Sequence, residues 1–449
     1  MGKGILMAFM LLLPFICLSQ EVEMTFPEVD GKTYALFSEG KWKDLIRTGN
    51  EALKNGFDYY YLRIRIGIAY FERRNYVQAA RHFEEALKLN AGDPLTGEYL
   101  YGCYLEMNRP ADGYKILNQL PVSVQDRLKK SAPKLHSADI GGGLIFSDQP
   151  DKFDHFDLDG DSSYYGEVDL IRGGTDINAG VSWGFENGIK LYGGYTWIRL
   201  DKNKLVSIGD TMAVDDQYVL NQHQCYLNGT IPLWKGFSVK AAVNYLLDDY
   251  EVVMPQYDSA FDSYDFPVES NRLQSVIGYL SVTKDFKIVQ TSLFGAWSNL
   301  NDREQIQAGF HLMAFPFGNL DLYLSSKVMD HIVDADHHFI FEQMIGGRII
   351  KPLWAEVNAT FGEMVDYHEN SAFVIYNFAD KMDFKGGGKL IWTMGPRTTL
   401  TMEYILLKRM GNYIVYSNSG TNGEIKVVPV TMTSDFYNHI IVAGINWKF

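Results

Sequence analysis

The stretch Phe237-Ser238-Val239-Lys240-Ala241-Ala242-Val243-Asn244-Tyr245 sets the pattern for most of the chain. Its odd positions are apolar and its even positions are small or polar, a period of two that belongs to a β-strand with one apolar face and one wet face. The pattern returns where Ile306, Ala308, Phe310 and Leu312 alternate with Gln305, Gln307, Gly309 and His311. It returns again at Leu320, Leu322 and Leu324, and at Leu353, Ala355, Val357, Ala359 and Phe361. The alternation spans residues 136–449. A soluble β-sandwich would show the same period, so the choice rests on what lies between the strands.

Three features select a transmembrane barrel. Connections alternate between short ones, such as Pro232 to Lys235, Lys351-Pro352 and Gly395-Pro396-Arg397, and long ones near 148–161, 201–215, 253–269, 365–383 and 411–433. Outer-membrane barrels have short periplasmic turns and long outer loops. Aromatic residues gather beside the short turns at Trp183, Phe185, Trp234, Phe286, Phe315, Phe317, Trp354 and Trp392, as expected of an inner girdle. The chain ends with Ile441, Ala443, Ile445, Trp447 and Phe449 on one face. Ile445, Trp447 and the terminal Phe449 look like the assembly signal of this class, recognised by the barrel-assembly machinery. The count expected is about 14 strands, in a range of 12–16, with 162–185 read as one strand bulged at Gly173-Gly174. Ser371 to Phe378 is a further candidate, as a hairpin in a loop. The positions expected to face the lumen include Lys190, Lys240, Asn244, Asp248, Arg303, Gln305, Asp321, Lys327, Glu356 and Glu403. Both signs of charge are present, which favours an internal salt-bridge network over a single-sign selectivity ring.

Upstream the period changes. Lys41-Trp42 recurs 34 residues later as Asn75-Tyr76, and Asn108-Arg109-Pro110 follows at nearly the same interval. In the central copy Gly67 and Tyr70 fall on a first helix and Ala79, Phe83 and Ala86 on a second. These residues and the period resemble the tetratricopeptide repeat family over about 100 residues. The resemblance implies a concave groove that binds an extended peptide or partner protein, with Tyr61, Ile64, Ile68 and Phe71 on its surface. The competing expectation is that these four pack against a neighbouring helix or the barrel rim.

Ahead of the repeats, Lys3 and the apolar run Ile5 to Leu18 read as a secretory signal cleaved between Ser19 and Gln20. The domain expectation is a signal peptide over 1–19, a linker over 20–32, a periplasmic helical domain over 33–134 and a barrel over 136–449. The fold class is thus α+β and multidomain. A net charge of -14 gives no basic excess for phosphates, so no nucleic-acid partner is expected. Three cysteines exclude a disulfide scaffold. With no nucleophile elbow, phosphate loop or His-Glu-x-x-His pattern, neither an enzyme nor a cofactor is expected.

Two loop clusters carry metal-ligating side chains. Asp157, Asp159 and Asp161 alternate around Gly160, the kind of turn a hard cation uses, although the downstream Glu of a calcium loop is missing. His331, Asp334, Asp336, His337 and His338 crowd one turn that could hold zinc. A solvated polar loop is the competing reading for both.

The order of signal, helical repeats and barrel resembles the outer-membrane ports of exopolysaccharide secretion, including the cellulose and poly-N-acetylglucosamine exporters, and the YaiO-type outer-membrane proteins. The Tyr- and Asn-rich barrel looks like those of the Bacteroidota. The resemblance implies a chain held in outer-membrane lipid, with its helical domain recruiting a periplasmic or outer-membrane protein. Two function classes follow: a conduit for a polymer or solute, or a non-conducting scaffold subunit of a larger outer-membrane complex.

Overall fold

The computed structural model describes residues 25–449 apart from 108, 131–133, 149–163, 186–187, 209–210, 259, 261–262, 287, 378–380 and 418–425. The signal region lies outside the described residues.

Three helical hairpins come first: α1 (Phe26–Ser38) with α2 (Trp42–Lys54), α3 (Tyr60–Glu72) with α4 (Tyr76–Leu89), and α5 (Pro94–Glu106) with α6 (Pro110–Leu117). A last helix, α7 (Val122–Lys130), follows. First helices begin at residues 26, 60 and 94 and second helices at 42, 76 and 110, so both series repeat every 34 residues. Local chemistry sets the starts. Asn75 Oδ1 accepts from the Gln78 amide at 3.2 Å and Asp93 Oδ2 from the Thr96 amide at 2.6 Å. Each cap satisfies a helical N–H that has no partner within the helix. α1 opens with a Thr25–Glu28 capping box and Pro27 in its first turn. It therefore begins inside the segment expected to be linker, and the helical domain starts at 26 and not at 33.

The hairpins pack through small residues. Gly67 lets α3 approach α4 so closely that a Cβ there would lie 2.6 Å from the Phe83 ring. Ile64 and Ile68 are buried with Ala79, Ala80, Phe83, Leu100 and Cys103, and Phe71 packs edge-on against Tyr99 and Tyr76. Ile64 and Ile68 are buried in a cluster with residues of α4 and α5, and Phe71 packs on Tyr99 of α5, which is the competing expectation for these three; Tyr61 is exposed. His82 is buried beneath Tyr70, with ring centroids 5.5 Å apart. Burial, reinforced by the Arg63 charge, pulls its pKa down to about 4.

The barrel follows. Its first strands are β1 (Leu135–Ser147), β2 (Tyr164–Gly184), β3 (Lys190–Ile208), β4 (Thr211–Pro232) and β5 (Phe237–Val253). A small hairpin, β6 (Gln256–Asp258) and β7 (Ser263–Asp265), leads to β8 (Val268–Asp285), β9 (Val289–Ser298) and β10 (Gln305–Ala314). Then come β11 (Leu322–Val333), β12 (Asp336–Ile350) and β13 (Leu353–Met364). A second small hairpin, β14 (Tyr367–Glu369) and β15 (Val374–Tyr376), precedes β16 (Lys381–Thr393), β17 (Thr398–Ser417) and β18 (Lys426–Lys448). Fourteen strands close into one antiparallel barrel, with β1 seated between β18 and β2. β2 is one long strand whose register shifts between Ile171 and Gly173, at the expected bulge.

The exterior is apolar, with Val243, Leu280, Leu293, Phe310 and Val357 all exposed. Trp183, Phe185, Trp234, Phe286, Phe317 and Trp392 are exposed at the short-turn end. An apolar belt ending in aromatics is the surface of a barrel that sits in lipid. Ile445, Trp447 and Phe449 lie on this exterior, and the Phe449 amide donates to the His136 carbonyl at 3.2 Å. Three of the expected long loops are mostly sheet. β3 and β4 continue through most of 201–215, β17 and β18 continue into 411–433, and β6 and β7 pair within 253–269. Ladder pairing needs no lipid, so the ribbons extend past the apolar belt.

At the short-turn end the helical domain leans on the barrel. α6 meets the turn Trp234–Gly236, and α4 approaches the turn between β10 and β11. Arg109 there pairs with Asp112 at 2.7 Å and lies over the Tyr104 ring.

Candidate functional site

The lumen is crossed by the connection between β13 and β16. That segment was expected as an outer loop. Its hairpin, β14 and β15, instead turns inward, and Asp366, Tyr367, His368, Ala372, Ile375 and Tyr376 are all buried. In the ring of fourteen, β13 and β16 stand seven strands from β4 and β5 respectively. The hairpin tip bonds to those two opposite strands. Tyr226 Oη donates to the Ser371 carbonyl at 3.0 Å, and Asn244 Nδ2 to the Ala372 carbonyl at 2.8 Å. Asn377 Nδ2 donates to Asp248 at 2.8 Å. Asn244 lies seven residues above the start of β5, or about 23 Å along the strand, so the strap crosses at mid-depth.

The base of the strap is held by charge. Arg303 pairs with Asp366, which also accepts from Asn301 Nδ2 at 2.6 Å. Lys385 pairs with Glu369, both buried, and Tyr376 Oη donates to the same carboxylate at 3.0 Å. Apolar side chains fill in behind: Ala372 and Ile375 meet Leu246, Ile277 and Leu300, while Tyr367 and Tyr376 pack with Met329, Met364 and Leu407. Asn370, Ser371 and Ala372 have φ of 52°, 59° and 67°. For Ser and Ala this left-handed backbone costs roughly 1–2 kcal/mol per residue. Contacts with the wall must offset that strain.

Beside the strap a cavity of about 530 Å³ remains, walled by β1–β4 and β16–β18. One register row of its wall is Leu220, Leu200, Gly174, Ile145, Ile440 and Ile405, on six successive strands. Phe373 and Ile375 of the strap also line the cavity. The next row is Gln222, Ile198, Asp176, Gly143, Val442 and Glu403. Its ion pair is Glu403 with Lys389 at 3.2 Å.

Other expected lumen residues also take internal partners. Lys327 pairs with Glu342 at 2.8 Å, and Glu356 accepts from Tyr323 Oη at 2.6 Å. The five-residue His/Asp turn does not converge. His331 faces the lumen and its Nε2 lies 2.7 Å from the Val365 carbonyl, while His337 points to the other face and pairs with Asp330 at 2.7 Å. His338 lies 3.6 Å from Glu363, and Asp336 is exposed at the strand start. Among the described residues no three such side chains gather around one point. Strand alternation separates neighbours that the linear sequence places together. Asp157, Asp159 and Asp161 lie outside the described residues.

Comparison with known proteins adds little to this geometry. No family model matches the chain, and no curated protein matches it. Among solved structures it is similar to a Pseudomonas aeruginosa FadL homologue (TM-score 0.44, 6% identity, 70% of this chain and 90% of that one). It is similar to the P. putida toluene transporter TodX (TM-score 0.43, 6% identity, 71% and 91%). It is also similar to a bacterial polysaccharide outer membrane secretin (TM-score 0.35, 8% identity, 70% and 99%). These likenesses are loose, and the fold rests on the strand register.

Proposed function

We propose that this chain is a gated port of a Gram-negative outer membrane, with its bore held closed by the strap. The observation that carries the reading is a strained hairpin tip bonded to the far wall by a few side chains, with a chamber beside it. A barrel that served only as an anchor would gain more from a continuous packed interior than from three left-handed residues braced by hydrogen bonds. Moving the strap would open a path, and the polar row below the aliphatic one would line it.

On this reading the short turns face the periplasm and the 34-residue repeats act as a tetratricopeptide-type docking domain. Their place against the turns β4–β5 and β10–β11 suits a partner that feeds or opens the port. The signal at Ser19-Gln20 exports the chain, and no catalytic role is assigned. The strap spans the bore, so export of a polymer would require its displacement.

The test is permeability of liposomes carrying the full chain or a variant with residues 366–377 replaced by a short Gly-Ser linker. The port reading expects slow solute entry with the natural chain and fast entry with the variant. A folded variant that remains impermeable would favour the scaffold reading.

A further inference from the structure

Asp176 is a carboxylate in the chamber wall that the port reading leaves unexplained. It projects from β2 into the cavity one row below the aliphatic residues, with Ile198 beside it on β3. On its other side stands Gly143, and beyond that Val442. The glycine is what makes room: a Cβ at 143 would lie 2.1 Å from Asp176 Oδ1. The hydrogen bond to Asp176 comes from Asn178 Nδ2, at 3.4 Å. No basic side chain pairs with it among the described residues. Lys202 goes to Asp169 at 3.8 Å, Lys389 to Glu403 and Lys385 to Glu369, and Arg409, which also lines the cavity, donates to Asn438 Oδ1 at 3.0 Å.

A carboxylate partly withdrawn from water, with one long hydrogen bond and aliphatic neighbours, carries an uncompensated cost. It recovers that cost when a cation comes beside it. The cavity, at about 530 Å³, falls within the range of small-molecule sites. Its long apolar row is unusual for a barrel interior, which is polar when it conducts water. Asp139, two rows further down the same wall, also lacks a basic partner among the described residues and accepts from Tyr192 Oη at 3.0 Å. A largely apolar wall with an excess of carboxylates over basic side chains is complementary to a molecule that has an apolar body and one positive charge.

We propose that this chamber binds a small organic cation, its nitrogen beside Asp176 and its body against Leu220, Leu200, Ile145, Ile440 and Ile405. As the substrate class of the port, this rests on the gated-port reading. As a binding site, it stands on the chamber alone.

The test uses the full chain in nanodiscs, with benzyltrimethylammonium as the probe in calorimetric titration. Its uncharged isostere, neopentylbenzene, and phenylacetate serve as comparisons. Saturable binding of one ammonium per chain is expected, with both comparison molecules weaker. Asp176→Asn should weaken binding by about tenfold or more, while Glu51→Gln, at an exposed carboxylate of α2 outside the chamber, should change it by less than about threefold. Folding of each variant is checked by its shift in gel mobility on heating. Absence of saturable ammonium binding, equal binding of the neutral isostere, or unchanged binding in folded Asp176→Asn would each overturn the proposal. Permeability of the strap variant is a separate readout. A non-conducting port that binds the ammonium would lose the transport reading and keep the site, and a conducting one without binding would do the reverse.

Discussion

Asn244 on β5 donates its side-chain amide to the main-chain carbonyl of Ala372 at 2.8 Å, joining the barrel wall to a hairpin that originates on the opposite side of the bore. The two residues are 128 positions apart in sequence. Their bond, together with that between Tyr226 and Ser371, turns a surface connection into a strap.

Lys385 and Glu369 form a buried pair at the base of the strap, with side chains only 7% and 8% exposed. Removing one partner leaves the other charge buried alone. Lys385→Met should therefore cost about 3–5 kcal/mol, and the double variant Lys385→Met/Glu369→Gln should regain most of it. Urea unfolding in detergent measures the global effect, and hydrogen exchange of residues 366–377 shows whether the loss is confined to the strap.

The helical domain should lose stability in acid. His82 has its pKa lowered from 6.5 to about 4 because it is buried beside Arg63. Between those values the unfolded domain binds the proton and the folded one does not. Stability is thus full above about pH 6.5 and falls as pH drops toward 4, by on the order of 3 kcal/mol. Hydrogen exchange of α3 and α4 in the full chain, corrected for intrinsic rates, should show this slope. His82→Phe should flatten it, and an unchanged slope in that variant would remove His82 as its source.

Deleting Phe449 should impair assembly more than stability. Its side chain is half exposed on the lipid face, so its loss should change the unfolding free energy of a refolded barrel by less than about 1 kcal/mol. The amount reaching the outer membrane should nonetheless fall several-fold in membrane fractions. Normal levels there would show that the terminal aromatic is no signal.

Much of this fold was legible in the sequence because barrel strands are periodic and helical repeats recur. The alternation around Phe237–Tyr245, the bulge at Gly173 and the 34-residue interval all mark real elements. The strap was not legible as a strap. Ser371–Phe378 could be suspected of forming a hairpin, but its direction depends on Asn244 and Tyr226, more than a hundred residues upstream. The place of the groove residues stayed open for a related reason. Ile64 and Ile68 show a helical spacing in either case, and whether α5 covers them is decided by packing that spacing does not encode. The chamber was invisible because its aliphatic row takes a single residue from each of five strands, which the linear sequence keeps apart.

Single-channel recording across planar bilayers reads the strap's effect on the bore itself. If the strap is the gate, the natural chain shows rare or no openings, Asn244→Ala flickers, and replacing residues 366–377 by a short linker gives a steady large conductance. A correctly folded replacement variant as silent as the natural chain would contradict it, and would leave the barrel as a scaffold.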